Sequence, residues 1–214
     1  MHNNTNKKIC IFGAGGFGRE VLCCLIDLFA EKSLSIYDSI YFMVNDEYYN
    51  QSTIMDINVI LLSKFDPEKY NVVVAIGDSN LRKKAVESLP KNTTFTTIIH
   101  PSAIISKFVN IGEGSIITAG TILTCNINIG KHAHLNLNTT IGHDCIIGDY
   151  FTTAPAVNIS GNCNIGNCVY FGTNSSVKEK INICNNVTIG LNSGVVKNID
   201  ESGVYVGCPI RKIK

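Results

Sequence analysis

The apolar pattern of the chain changes character near residue 100. Before that point apolar runs alternate with helical spacing. Lys7 to Phe12 reads KKICIF, a short strand. GAGGFG follows, and then REVLCCLIDLFAEK, whose apolar residues recur at helical intervals. A second apolar run, SIYFMV, ends in Asn45-Asp46-Glu47. A third, NVVVAIG, ends at Gly77 and meets DSNLRKKAVESL, which is helical again. This alternation predicts a small parallel α/β domain with about three strands ahead of the second region.

Beyond Ile98 the helical period gives way to a period of six. Reading every sixth residue from Ile105 to Val195, fifteen of sixteen positions are apolar, and Thr153 is the exception. Only about half would be apolar by chance in a chain that is 45% hydrophobic. Glycine directly follows the period residue at 112, 130, 142, 148, 166, 172 and 190. A hexapeptide repeat of this kind predicts a parallel β-helix. Each unit is one short strand and a turn, three units make a coil, and the period residue points inward to stack on its counterpart in the next coil. The glycines and the many asparagines are expected at turns where positive φ must be tolerated. Thr153 is expected to mark a bulge or a polar site. The fold class expected is α/β plus β-solenoid, with a Rossmann-like domain over 1–98 and a β-helix over 99–214.

Composition narrows the function. The 18 basic and 17 acidic residues leave a net charge of +1, no field to collect nucleic acid or a membrane surface. No run approaches the roughly 20 apolar residues of a membrane span. The polar start of the chain, which includes His2, does not read as a secretory signal. The nine cysteines contain no C-x-x-C, and their scatter fits free, buried thiols of a reducing cytosol. A cytoplasmic protein is expected.

Two places have candidate chemistry. Gly13-Ala14-Gly15-Gly16-Phe17-Gly18 is a G-x-G-x-x-G between a strand and a helix, where backbone amides suit a diphosphate. About three strands are too few for a full dinucleotide fold, and Asp46 lies beyond the usual acidic position. The other reading is a tight turn without a ligand. His143 sits between Gly142 and Asp144. A neutral histidine with a carboxylate neighbour suits proton abstraction, and the other reading is an exposed turn histidine. His132 and His134, two apart on one strand, are expected to share a side and to hold a metal only if they face outward with a third ligand. No metal is expected. His100 reads as structural. Cys145, two residues from His143, makes a Cys–His pair conceivable, although apolar packing is the commoner fate of such a cysteine.

Together, GAGGFGRE, AIGDSNLRKK at 75–84, NLNTTIGHDCIIGD at 136–149, ISGNCNIG at 159–166 and VYVGCPIRKI at 204–213 resemble the sialic acid O-acetyltransferase and bacillosamine-type sugar N-acetyltransferase family. Ile210 stands where that family usually has alanine. The resemblance implies left-handed coils, a homotrimer, active sites between neighbouring β-helices, and acetyl-CoA as acyl donor. It implies His143 as general base, Asp144 as its acidic partner, and Gly161 as a backbone oxyanion donor. Substrate contacts are implied at Gly15, Gly16, Phe17, Asn45, Asp46, Gly77 and Asn136. Thr173 is implied to contact acetyl-CoA through its backbone, and Thr152 stands where some relatives place a second histidine at the acetyl-CoA site. The activity implied is direct N-acetylation of a nucleotide-linked amino-dideoxy sugar, a 4-amino-4,6-dideoxyhexose on UDP, dTDP or GDP, for surface polysaccharide. Alternatives are O-acetylation of sialic acid and a non-enzymatic trimeric nucleotide-binding scaffold.

Overall fold

The computed structural model describes residues 7–32 and 35–214, so the reading of His2 and the polar start falls outside the described residues. The first part contains β1 (Lys8–Phe12), α1 (Gly16–Glu31), β2 (Ile40–Val44), β3 (Thr53–Ile54), β4 (Ile57–Leu61), β5 (Tyr70–Val74), α2 (Ser79–Ser88) and β6 (Thr94–Phe95). They form a six-stranded sheet in the order β3-β4-β2-β1-β5-β6. β1 is central and parallel to both neighbours, with Phe12 opposite Met43 and Val74. Its apolar run is continuous because both faces are covered. Ile11 packs with Val21, Leu22 and Leu25 of α1, while Cys10 and Phe12 pack with Met43, Val72 and Val74 on the other side.

The sheet has more than the three expected strands. β3 and β4 form a hairpin across Met55 and Asp56, both at positive φ (47° and 62°). That turn lacks the Asn-Gly or Gly signal by which such hairpins are read from sequence. β6 is too short, at two residues, to show a period.

From Ile98 onward the chain winds through three parallel sheets. The first face holds Ile98–Ile99, Ile116–Ile117, His134–Leu135, Thr152–Thr153, Tyr170–Phe171 and Val187–Ile189. The second holds Ile104–Ile105, Ile122–Leu123, Thr140–Ile141, Asn158–Ile159, Ser176–Val177 and Gly194–Val195. The third holds Val109–Ile111, Ile127–Ile129, Ile146–Ile147, Asn164–Ile165 and Asn182–Ile183. Partners along each face are eighteen residues apart, as in Ile141 opposite Ile159 and Ile147 opposite Ile165. The period-six residues fill the prism as one buried column set. The strand Gly203–Val206 adds to the first face, and Arg211–Lys212 folds back antiparallel on it.

Asparagine and glycine divide the corner work differently from expectation. From Gly114 to Asn192 every sixth residue has positive φ, and asparagine is the commonest occupant, at 126, 138, 162, 174, 186 and 192. Asparagine tolerates this region because its short polar side chain bonds locally. The glycines that follow the inward residues are not at positive φ; they are required by close stacking of coils. A Cβ on Gly142 would lie 2.7 Å from Gly161 N, and one on Gly172 would lie 2.6 Å from Leu191 N.

Thr153 marks a polar site, not a bulge, and its strand keeps register with Phe171. Inside the prism its Oγ1 lies 2.7 Å from Thr139 Oγ1 and accepts a bond from Asn136 N at 2.9 Å.

The α/β domain is seated on the first face. Ile98 and Ile116 belong to its core with α1. His100 Nε2 lies 2.9 Å from Asp27 Oδ2 of α1, which gives this histidine the structural place expected of it.

Candidate active site

β1 and β5 are parallel neighbours, so the loops that leave their C-terminal ends lie side by side. A cavity of about 670 Å³ opens there, lined by the Gly13–Gly15 turn, Asn45 after β2, the 48–51 segment and one face of α2. The glycines of the turn are not alike. Gly13 (φ 115°) and Gly18 are demanded by the protein itself: a Cβ on Gly13 would lie 2.8 Å from Ala75 O, and one on Gly18 would overlap Gly13 O. Cβ atoms on Gly15, Gly16 and Gly77 would meet nothing within 4 Å, and Gly15 has ordinary extended backbone (φ −70°, ψ −167°). Neither packing nor backbone strain calls for glycine at 15, and the space over its face is open. The N-terminus of α1 has no side-chain cap and no acid in its first turn, which leaves its N–H groups directed outward.

The other expected substrate contacts divide. Asn45 lines this cavity. Asp46 does not; its Oδ1 accepts from Ser63 N at 3.1 Å, and the bonds from Ser63 hold its carboxyl below the usual range. Phe17 packs on His134 with centroids 4.8 Å apart, inside the domain junction. The Gly77 carbonyl accepts from Arg82 at 3.2 Å.

His143 lies at the corner between the second and third faces, since Thr140–Ile141 precedes it and Ile146–Ile147 follows it. Asp144 takes the positive φ of that corner (59°), which turns its carboxylate back onto the imidazole. His143 Nδ1 and Asp144 Oδ2 are 2.6 Å apart, and Asn126 Nδ2 donates to Asp144 Oδ1 at 3.1 Å. The His143 and Asn126 bonds hold the Asp144 carboxyl below the usual range. With the proton on Nδ1 facing the carboxylate, Nε2 of the neutral ring is the bare nitrogen. The His143 side chain is 57% exposed. One coil further, Gly161 occupies the same corner, and a Cβ there would come within 2.7 Å of His143 Nε2. Its carbonyl accepts from Lys180 N, while its N–H makes no bond to another described residue.

Asn136 and Thr173 share a different corner, between the first and second faces. Asn136 Oδ1 accepts from Leu137 N at 2.7 Å, and the Thr173 carbonyl accepts from Asn192 N at 2.9 Å. Thr152 is a correction. It lies on the first face, beneath the α/β domain, with its hydroxyl 2.7 Å from Arg82 and 3.1 Å from Ser79 Oγ. It is buried, so its hydroxyl is not presented to an acyl donor.

Cys145 points into the prism, away from the imidazole. Its thiol donates to Ser160 O at 3.3 Å, and the Cys163 contact together with burial pushes it up. The chain turns the corner at Asp144, between the outward His143 ring and the inward Cys145.

Arg82 carries no motif signal of its own. Its fully buried guanidinium joins the domains. It donates to Ile76 O (2.7 Å) and Gly77 O (3.2 Å) on one side, and to His132 O (3.0 Å), Tyr150 O (2.8 Å) and Thr152 Oγ1 (2.7 Å) on the other. His132 and His134 lie in the same junction and do not face solvent. His132 takes a positive-φ corner (54°), so the two are not alternate residues of one strand. It stacks on Tyr150 at 5.3 Å. His134 Nε2 donates to Val74 O at 3.0 Å, and its Nδ1 accepts from Arg82 at 3.1 Å. Burial holds both rings neutral, drawing His132 down to about 4 and His134 well below the ordinary value. Among the described residues no group of three or more His, Cys, Asp or Glu could hold a metal ion, and no helix is long and apolar enough to cross a membrane.

The family model described as the PglD N-terminal domain matches residues 8–89. UDP-N-acetylbacillosamine N-acetyltransferase of Bacillus subtilis (strain 168) is 34% identical over 117 residues, 53% of this chain and 52% of that protein. The chain spans about half the length of the curated relatives it matches. The acetyltransferase domain of PglB from Neisseria gonorrhoeae FA1090 is 25% identical, with a TM-score of 0.87 over 97% of this chain and all of that one. The same domain has been solved with acetyl coenzyme A. WeeI from Acinetobacter baumannii AYE superposes with a TM-score of 0.88 at 30% identity, covering 97% of this chain and 100% of that one. With a relative of that identity matched along its whole length, and the first domain recognised by its own family model, the chain belongs to the PglD-like acetyltransferases.

Proposed function

We propose that the protein transfers the acetyl group of acetyl-CoA to the amine of a nucleotide-linked amino-dideoxy sugar, a 4-amino-4,6-dideoxyhexose, with His143 as general base. The observation that carries this reading is the His143–Asp144 pair at an exposed corner, with the bare Nε2 lying directly over Gly161 of the next coil. The sugar amine attacks the thioester carbonyl, Nε2 takes the proton that the amine loses, and the C–S bond breaks as the imidazolium returns that proton to the sulfur, so that coenzyme A leaves as its thiol. Asp144 holds the tautomer and stabilises the imidazolium. The Gly161 N–H, without an acceptor among the described residues, suits the oxygen on which charge develops. The buried, hydrogen-bonded Cys145 favours direct transfer over an acyl-enzyme.

The nucleotide occupies the glycine-turn cavity, where Gly15, Gly16 and Gly77 leave room for phosphate and ribose and Asn45 offers its amide. The topology supports an active site shared between copies. The α/β domain covers the first face, and His143 stands at the corner opposite that face, so the cavity and the base of one chain point apart. In a homotrimer the base of one solenoid meets the sugar held by its neighbour. Outward Ile104 and Ile146, 64% and 56% exposed on the second and third faces, supply apolar surface for that packing. In such an assembly Asn136 contacts the sugar and the Thr173 backbone contacts acetyl-CoA from the second corner. The product feeds surface polysaccharide, and the site of action is the cytoplasm, where acetyl-CoA and nucleotide sugars are made.

The test is mass spectrometry of reactions containing acetyl-CoA and a panel of UDP-, dTDP- and GDP-linked amino sugars, with free sialic acid included. Acetylation of one nucleotide sugar is expected. Acetylation of sialic acid alone, or of nothing, overturns the reading.

A further inference from the structure

The glycine-turn cavity has a charge asymmetry that its glycines do not explain. Of the described side chains that line it, Lys84 alone is charged. α2 brings it there because Leu81, Lys84, Ala85 and Ser88 fall at helical spacing on one face, and that face is turned to the cavity. The remaining lining is apolar, hydroxyl or amide. Lys84 forms no ion pair among the described residues.

Two acids near the cavity are occupied elsewhere, and Glu47, between Asn45 and Tyr48, is exposed and does not line it. Asp46 receives Ser63 N, and Asp78 caps α2 by accepting from Leu81 N at 2.8 Å. The two helices that border the opening therefore differ. The N-terminus of α2 is already capped by a carboxylate, whereas that of α1 has neither a side-chain cap nor an acid in its first turn. The glycine turn and Lys84 thus present two sources of positive potential to one concave space, and no carboxylate among the described residues lines it. A cavity of this sign selects an anionic guest.

We infer that Lys84 binds the diphosphate of the nucleotide and makes the site select a nucleoside diphosphate over the corresponding nucleoside. The assignment rests on the nucleotide-sugar reading of this cavity. A lysine suits the role because a flexible stem carries a compact charge to phosphate oxygens already held by backbone N–H groups.

The experiment is titration calorimetry of the full chain with UDP, dTDP, GDP and their nucleosides. The wild-type protein is expected to bind at least one diphosphate. Lys84→Met should weaken that diphosphate by about 10-fold or more, a loss of one charge-assisted contact, and leave the nucleoside within about twofold. Lys84→Arg should retain most of the affinity. Lys83→Met, one position round the helix and off the lining, should match the wild type. Diphosphate affinity unchanged in Lys84→Met overturns the assignment, as does an equal loss for nucleoside and diphosphate, which signals a collapsed cavity. A wild-type protein that binds no diphosphate overturns the nucleotide-sugar reading itself, an outcome distinct from any behaviour of the Lys84 variants.

Discussion

Replacing Arg82 with alanine should loosen the joint between the two domains more than any surface substitution. Four carbonyls, those of Ile76, Gly77, His132 and Tyr150, receive the guanidinium and no other hydrogen bond from the described residues. A fifth, Phe151 O, keeps its bond from His134 N. Burial draws the guanidinium down to about 9, which leaves it protonated at neutral pH. Leaving a buried acceptor unpaired costs about 1–3 kcal/mol. Four of them set an upper range that water entering the vacated space reduces, and about 4 kcal/mol is the expected loss. For a chain of 214 residues this lowers the melting temperature by about 8–16 °C. Differential scanning calorimetry should also resolve an early transition, because the α/β domain loses its anchor while the solenoid keeps its own ladder. Arg82→Lys should recover part of the loss, since three rotatable donors cannot reproduce a planar fork. A melting temperature within about 2 °C of wild type for Arg82→Ala would refute the reasoning, for it would mean that the four carbonyls find other partners at no cost.

Three further outcomes follow from the geometry. Gly161→Val places a side chain where the His143 ring lies, so acetyl transfer should fall about 100-fold with the nucleotide affinity unchanged, and steady-state kinetics would show it; a normal kcat counts against the corner geometry. Gly15→Ala adds a methyl group that meets no protein atom, so the melting temperature should hold or rise slightly while nucleoside diphosphate binding falls about 10-fold by calorimetry; unchanged binding would remove the ligand from the glycine turn. Acid should weaken the domain junction: the unfolded chain takes up a proton on His132 near pH 6.5, while the folded ring stays neutral to about 4. Stability is therefore full above about pH 6.5 and falls toward pH 4 by about 3 kcal/mol, with buried His134 adding in the same direction. Thermal melts across that window check it, and a flat profile would contradict the burial of the two rings.

The solenoid was legible because its physics repeats. An inward residue every six positions leaves a period that Thr153 interrupts only by moving a hydroxyl pair into the prism. The His143–Asp144 pair was legible because both groups are adjacent in sequence. The junction was not. Arg82 reads as one basic residue of an amphipathic helix, and only the packing of α2 on the first face turns it inward to carbonyls fifty and more residues away. The same packing puts the Thr152 hydroxyl and the Phe17 ring in the domain junction, because it covers the face on which Thr152 lies and the start of α1. The glycines of the corners misled for a related reason. Their demand comes from the neighbouring coil, which a local reading of turn chemistry does not see.

The most direct test of the account is acetyl transfer by the wild-type protein and by His143→Asn, followed by mass spectrometry on the nucleotide-linked amino sugar that the wild type accepts. The account predicts that the wild type adds one acetyl group, and that the variant keeps the melting temperature and nucleotide affinity of the wild type but loses at least about 100-fold in turnover. A His143→Asn protein that acetylates at the wild-type rate would contradict the assignment of this imidazole as the base.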